Sequence, residues 1–272
     1  MDGPDLTGKF ADVVPKPASS ILLVRDGETG LEVFMVTRHH QIDFASGAMV
    51  FPGGKVDAAD SDASVRQVCI GAEALDDTQL GFRIAAIREA FEETGVLLAS
   101  GHEGEDLGTG RYLALKETYA ADMEANRVTM GEMAERERLM FDLRMLQPFA
   151  HWITPAVLPK RFDTPFYMAE IPESQSASAL HDGTEAVESV WINPAEAVRR
   201  ADAKEVTMVF ATRLNLIKLS RANSVAEAMS QAREDPLVPV TPKVYAKDGR
   251  RFIDIPAEAG FGGPTFDVGA AG

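Results

Sequence analysis

Arg88-Glu89-Ala90-Phe91-Glu92-Glu93-Thr94-Gly95 closes the most regular helical stretch of the chain, which the sequence predicts over residues 82–94. At about 100° per residue, Glu89, Glu92 and Glu93 fall within about 100° of one another, while Ile84, Ile87 and Phe91 gather on the opposite side. One face is therefore core and the other carries three carboxylates. Gly95 stands where helices often end in a left-handed residue. Like charges spaced i, i+3 and i+4 repel by a few tenths of a kcal/mol per pair, on the order of 0.3. A divalent cation removes that repulsion, and Mg²⁺ suits a few carboxylates beside a substrate phosphate. A solvated acidic face is the ordinary alternative for such a helix.

Working outward, Phe51-Pro52-Gly53-Gly54 ends a short apolar strand, and the glycine pair lets backbone approach another group closely. Lys55, Asp57 and Asp60 follow directly. Upstream, Ile21 to Val24 and Leu31 to Thr37 read as two strands around the turn residues Asp26 to Gly30. Residues 57–81 read as a loop with a short helix near 63–74. Downstream, 112–145 has helical composition and is expected to form two or three helices broken near 128–131. Residues 162–171 and 187–192 read as strands, and 194–200 as a helix opened by a proline at its first position. Further helices are expected over 206–222 and 225–233, then a hairpin around Lys247-Asp248-Gly249, then a mobile Gly-rich tail from Gly260. Strands alternating with helices in this way imply an α/β fold in layers, with mixed strand directions.

The chain has 272 residues, with 27 Lys and Arg against 42 Asp and Glu, a net charge of −15. An acidic surface is a poor match for a nucleic-acid polymer, which calls for phosphate-neutralising cations. No apolar run reaches the ~20 residues of a membrane span. The polar, acidic start is unlike a secretory signal, and the end is unlike a peroxisomal address. The lone cysteine, Cys69, permits no internal disulfide and no thiolate zinc site. A cytoplasmic location and no membrane partner are the resulting expectations. Three segments are expected: a flexible leader over 1–18, a catalytic unit over 19–222, and a C-terminal extension over 223–272. The catalytic unit carries insertions at about 61–81 and about 111–147.

The motif around Gly54 and Arg88 resembles the signature of the Nudix hydrolases. That signature is a glycine, an upstream acid, then Arg-Glu-x-x-Glu-Glu-x-Gly. Gly54, Arg88, Glu89, Glu92, Glu93 and Gly95 match it, and Asp60 stands where the family usually has Glu. The spacing departs from the pattern: Asp60 lies 28 positions before Arg88, some twenty more than in the family signature. Phe51-Pro52-Gly53-Gly54, Trp152-Ile153-Thr154-Pro155 and Arg161-Phe162-Asp163-Thr164 extend the likeness, over about 19–221, to the group that includes the peroxisomal coenzyme A diphosphatases of animals.

The resemblance implies a Nudix-type α/β/α sandwich with a mixed sheet, a helical insertion and a C-terminal helical extension. It implies an enzyme that hydrolyses a nucleoside diphosphate linked to another moiety, with coenzyme A or acyl-coenzyme A favoured. ADP-ribose, nucleotide sugars and dinucleotides such as NADH are the alternative substrates. A non-catalytic nucleotide-binding regulator is the alternative from another class, and the intact Glu89, Glu92 and Glu93 argue against it. By resemblance, these three glutamates bind Mg²⁺ or Mn²⁺, and Arg88 holds a glutamate of the motif by charge-assisted hydrogen bonds. Arg38, Gly53, Gly54, Lys55 and Arg161 are the candidate substrate contacts, and Glu185 and Glu188 are candidates for a fourth metal ligand. The stretch upstream of Phe51 keeps Arg38 but has no second Lys or Arg, which weighs against a substrate carrying an additional phosphate. The expected partner is a small nucleotide diphosphate, with a homodimer left open.

Overall fold

The structure is a computed structural model in which residues 8–38, 47–175 and 186–270 are described. The first half runs β1 (Lys16–Gly27), β2 (Gly30–Arg38), β3 (Met49–Val50), β4 (Gly53–Lys55), α1 (Ala63–Gln67), β5 (Cys69–Ile70), α2 (Asp77–Thr94), β6 (Ser100–Gly101), α3 (Gly108–Glu124) and α4 (Met130–Glu137). The second half runs β7 (Leu139–Asp142), β8 (Gln147–Ile153), β9 (Phe162–Glu170), β10 (Ala186–Ile192), α5 (Pro194–Asp202), α6 (Phe210–Leu219), α7 (Val225–Glu234), β11 (Pro239–Val240), β12 (Lys243–Lys247), β13 (Arg250–Asp254) and β14 (Thr265–Ala270).

The main sheet has the order β10-β2-β1-β9-β8-β11, with β3 on β2 and β4 on β1. The β1–β9 and β8–β11 pairs are parallel and the others antiparallel, so the sheet is mixed as expected. The apolar run Ile21 to Val24 sits at its centre because both faces are covered. Ile21 and Leu23 pack with Ile84, Ile87 and Phe91 of α2. Leu22 and Val24, pointing the other way, pack with Leu214 and Leu216 of α6 and Ala228 of α7. That is a helix–sheet–helix sandwich.

Helix α2 begins earlier than expected because a capping box sets its start. Asp76 Oδ1 accepts from Gln79 N at 2.7 Å, and Gln79 Oε1 accepts from Asp76 N at 3.3 Å. Its end is as expected: Gly95 is left-handed, with φ 71°.

Several elements correct the sequence reading. Strand β1 starts at Lys16, inside the expected leader, because Lys16 and Pro17 pair with Phe162 and Asp163 of β9. The 112–145 stretch holds two α-helices, the lower of the expected numbers, followed by a strand and a 3-10 turn over Leu143–Met145. Arg138, left-handed at φ 53°, ends α4, after which Leu139 and Phe141 alternate inward. Residues 206–209 are not helical: Thr207 forms an isolated bridge with Ala48, its carbonyl accepts from Met49 N, and the helix opens only at Phe210. The tail is not simply mobile: β14 pairs with β13, and Phe266 packs edge-on to Phe210 at 5.4 Å. Strand β8 has no clear signature because Pro148 interrupts it, and a register shift follows there. Among the described residues, no helix is long and apolar enough to cross a membrane.

Candidate active site

The acidic face of α2 forms one side of a cleft of about 1250 Å³. Its geometry is organised by Arg88, which is buried. The Nε and one Nη2 proton go to Asp60, each at 3.1 Å. Nη1 donates to Glu89 at 2.9 Å and to Glu92 at 2.8 Å. Nη2 also donates to the Lys55 carbonyl at 2.7 Å. A guanidinium has five N–H donors, and all five are committed. The inserted residues between Asp60 and α2 thus loop out while Asp60 returns to the arginine. Asp60 sits on a 3-10 turn over Ala58–Ser61 and is 2% exposed. Its Oδ2 also accepts from Asp57 N at 2.8 Å.

The glycines supply the second side. Gly53 N donates to Glu93 Oε2 at 3.1 Å. A Cβ at Gly53 would lie 2.4 Å from the Ser19 carbonyl, and one at Gly54 would lie 2.4 Å from the Glu89 carboxylate. Only glycine brings β4 this close to both β1 and the glutamates.

Three carboxylates, Asp60, Glu89 and Glu92, therefore bond to one guanidinium, and a fourth, Asp57, lies 3.9 Å from it. Burial pushes the Asp60 carboxyl up, against the hydrogen bonds and charge of Arg88. Burial raises Glu92 in the same way, again opposed by Arg88. Burial also works against the charge of Arg88, but Glu89, Asp60 and Glu92 outweigh it and hold the guanidinium protonated.

Does this donor set fit a divalent cation? Every donor is a hard oxygen, as Mg²⁺ and Mn²⁺ prefer. The carboxylates exceed the local positive charge. Ser19 Oγ, in the cleft wall and paired through β1 with Gly54, is buried without a hydrogen-bond partner. Among the described residues, no three acidic side chains already converge as a metal cage. Instead Glu89 and Glu92 turn toward Arg88, and Glu93 toward Gly53. An ionised carboxylate has about four acceptor sites, enough for such a donor and an ion together. The residues fit the ion.

Of the expected substrate contacts, Gly53, Gly54, Lys55 and Arg161 line this cleft together with Arg88, Glu89, Glu92 and Glu93. The Lys55 side chain is exposed. Arg161 spends Nε on the Thr154 carbonyl at 3.0 Å and Nη1 on that of Val13 at 2.7 Å, so it also ties chain segments together. Arg38 ends β2, but its side chain lies outside the described residues. Glu185 lies outside them too. Glu188 is exposed on β10 opposite Thr37 and is not part of the cleft wall. The helical insertion reaches the cleft through Met123, Glu124 and Asn126 at the end of α3.

Sequence reasoning passes over the opposite wall, where Val244, Arg251, Ile253 and Val268 of the C-terminal sheet join the cleft. The alternation in that hairpin is visible in the sequence, but nothing local says what it faces.

The family described as the NUDT19 Nudix domain matches residues 66–219, which include the α2 glutamates but not Asp60 or the C-terminal sheet. Acyl-coenzyme A diphosphatase NUDT19 of Gallus gallus is 29% identical over 222 residues, covering 66% of this chain and 58% of its own length. Putative nudix hydrolase 7 of Caenorhabditis elegans is 30% identical over 188 residues, covering 69% of this chain and 55% of its own length. The chain thus spans a little over half the length of these curated relatives. A crystal structure of a NUDIX hydrolase from Alicyclobacillus acidocaldarius aligns with TM-score 0.65 and 26% identity, over 80% of this chain and 96% of that one. With a domain match over more than half its residues and the signature helix facing a cleft, the chain belongs to the Nudix hydrolase family.

Proposed function

We propose that the protein is a pyrophosphohydrolase dependent on Mg²⁺ or Mn²⁺, cleaving a nucleoside diphosphate linked to another moiety. Coenzyme A or acyl-coenzyme A is the favoured substrate. The observation that carries this reading is the Arg88 cluster, which fixes Glu89 and Glu92 beside Glu93 on one side of an open cleft. The catalytic unit is proposed to span 19–222, with 223–272 as an extension.

Glu89, Glu92 and Glu93 would hold the cation, which supplies charge neutralisation at the diphosphate and acidifies a water. The chain's own residues do the rest. Arg88 restrains two of the glutamates, so their positions are set before substrate arrives. Gly53 and Gly54 keep the β4 backbone low enough for a phosphate to approach the helix. Lys55 and Arg161 offer positive charge to the diphosphate, and Arg38 is a further proposed contact. A glutamate of this face takes the proton as water attacks phosphorus, and the leaving phosphate carries away the bonding electrons.

The absence of a second Lys or Arg between Arg38 and Phe51 favours a second reading, in which ADP-ribose, a nucleotide sugar or NADH is the substrate. A panel of these compounds with Mg²⁺ or Mn²⁺ separates the two. Release of 3′,5′-ADP and a phosphopantetheine from coenzyme A, lowered at least about a hundredfold by Glu92→Gln, is the expected result. Faster turnover of ADP-ribose or NADH would transfer the assignment to the second reading. No turnover of any member would leave a nucleotide-binding regulator.

A further inference from the structure

Ser19, in the cleft wall, is 1% exposed, and its Oγ has no hydrogen-bond partner. A buried polar group left without a partner costs free energy, so it calls for an explanation. Other buried hydroxyls do find acceptors. Ser20 Oγ donates to the Pro52 carbonyl at 2.9 Å, and Thr94 Oγ1 to that of Ala90 at 2.6 Å. Among the described residues, four further buried polar atoms lack a partner, on Tyr112, Ser174, Trp191 and Asn215. None of those residues lines the cleft, and Ser19 does.

The register of β1 says where this hydroxyl points. Side chains alternate along a strand, and Ile21 and Leu23 pack on α2, so Ser19 is turned to α2 as well. Across the antiparallel pair with β4, Ser19 stands directly opposite Gly54. Directly opposed residues carry their Cβ atoms on one face, about 4.5–5.5 Å apart. The point where Gly54 would carry a Cβ lies 2.6 Å from the carboxyl carbon of Glu89 and 2.7 Å from its Oε2. The Glu89 carboxylate thus rests on the bare glycine, one cross-strand spacing from the Ser19 side chain.

Glu89 Oε1 already accepts from Arg88 Nη1 at 2.9 Å. A carboxylate has about four acceptor sites, so it can take that donor, a hydroxyl and an ion together. Carboxylates that ligate an ion are commonly held by a further hydrogen bond, which fixes their orientation. Serine has a single side-chain torsion with three staggered positions. Turning between them carries Oγ toward the carboxylate without moving the strand.

We propose that Ser19 is a positioning residue for the cation: its hydroxyl donates to the Glu89 carboxylate as that glutamate ligates a divalent ion, and fixes it in the ligating orientation. The assignment rests on the cation-dependent hydrolase reading above. It gives the orphan hydroxyl its acceptor, and it gives β1 a part in the site besides carrying β4.

Binding of Mn²⁺ alone, read from the electron paramagnetic resonance of the free ion, tests this without any substrate. The relevant site is the one abolished by Glu92→Gln/Glu93→Gln. In Ser19→Ala its Kd should rise about tenfold. The melting temperature in the presence of a chelator should not fall, because the hydroxyl removed has no hydrogen bond to lose there. An unaltered Kd in Ser19→Ala overturns the role of Ser19 while the hydrolase reading stands. A raised Kd accompanied by a lower melting temperature in chelator overturns it too, since the hydroxyl would then serve the packing of β1 and not the ion. Wild-type protein that binds no Mn²⁺, or binds it equally after the double glutamate substitution, overturns both.

Discussion

Asp60 is the residue on which the site's rigidity turns. Its two oxygens hold two of the five Arg88 donors from a position 2% exposed to solvent. Asp60→Ala leaves those donors buried without an acceptor, and breaking such a pair costs about 3–5 kcal/mol. Urea unfolding should register a loss near the lower bound, because Glu89 and Glu92 still face the cation. Asp60→Asn, which keeps one acceptor, should lose less. A loss below about 1 kcal/mol for the alanine variant would mean that the pair is no more than a surface bridge. The role of Asp60 was only half legible in the sequence. The residue type and the downstream Arg-Glu-x-x-Glu-Glu are plain, but 28 positions separate acid from arginine. Only the three-dimensional path of the insertion shows that they meet.

At the scale of elements, the sequence revealed most where local physics decides the outcome. The α2 end, its two opposed faces and the strand pair β1–β2 follow from periodicity, a left-handed glycine and turn residues. Elements that depart from the sequence pattern depend on distant partners. Residues 206–209 are pulled out of a helix by Met49, the 139–142 strand is paired with β5 and β6, and the tail is ordered by β13. The glycine pair gives a test at this scale. A methyl group at Gly53 would collide with backbone, 2.4 Å from Ser19 O and 2.8 Å from Ser20 Cα. Gly53→Ala should therefore push β4 off β1, cost about 1–3 kcal/mol and weaken the hydrogen bond to Glu93. Unchanged stability and turnover would show that β4 has slack and that its close approach is incidental.

Across the whole molecule, the two faces of the sheet do different work. One carries α2 and the insertion. The other binds α6, α7 and the C-terminal sheet into a second core, and Lys218 is its polar centre. Its Nζ donates to the Phe149 carbonyl at 3.0 Å, pairs with Asp235 at 3.2 Å, and sits 4.9 Å and 5.6 Å from the ring centres of Phe149 and Phe261. Burial holds its pKa below the ordinary 10.5, against the pull of Asp235. Between that lowered value and 10.5, the folded chain has released a proton that the unfolded chain keeps. Stability must therefore rise with pH across that window. Lys218→Met removes this contribution, so the stability difference between wild type and variant should shift toward wild type as pH climbs toward 10.5. A difference independent of pH would contradict the lowered pKa. No composition or periodicity argument could have found this lysine, because its environment is assembled from β8, α6, α7 and the C-terminal segment.

The account stands or falls on cation capture by the acidic face of α2. Anomalous diffraction from crystals soaked in Mn²⁺ tests that without reference to any substrate. The predicted result is a peak within ligand distance, about 2.0–2.3 Å, of carboxylate oxygens from Glu89, Glu92 and Glu93, and its loss in Glu92→Gln/Glu93→Gln. Fully bound Mn²⁺ elsewhere, with no peak at this face, would contradict it.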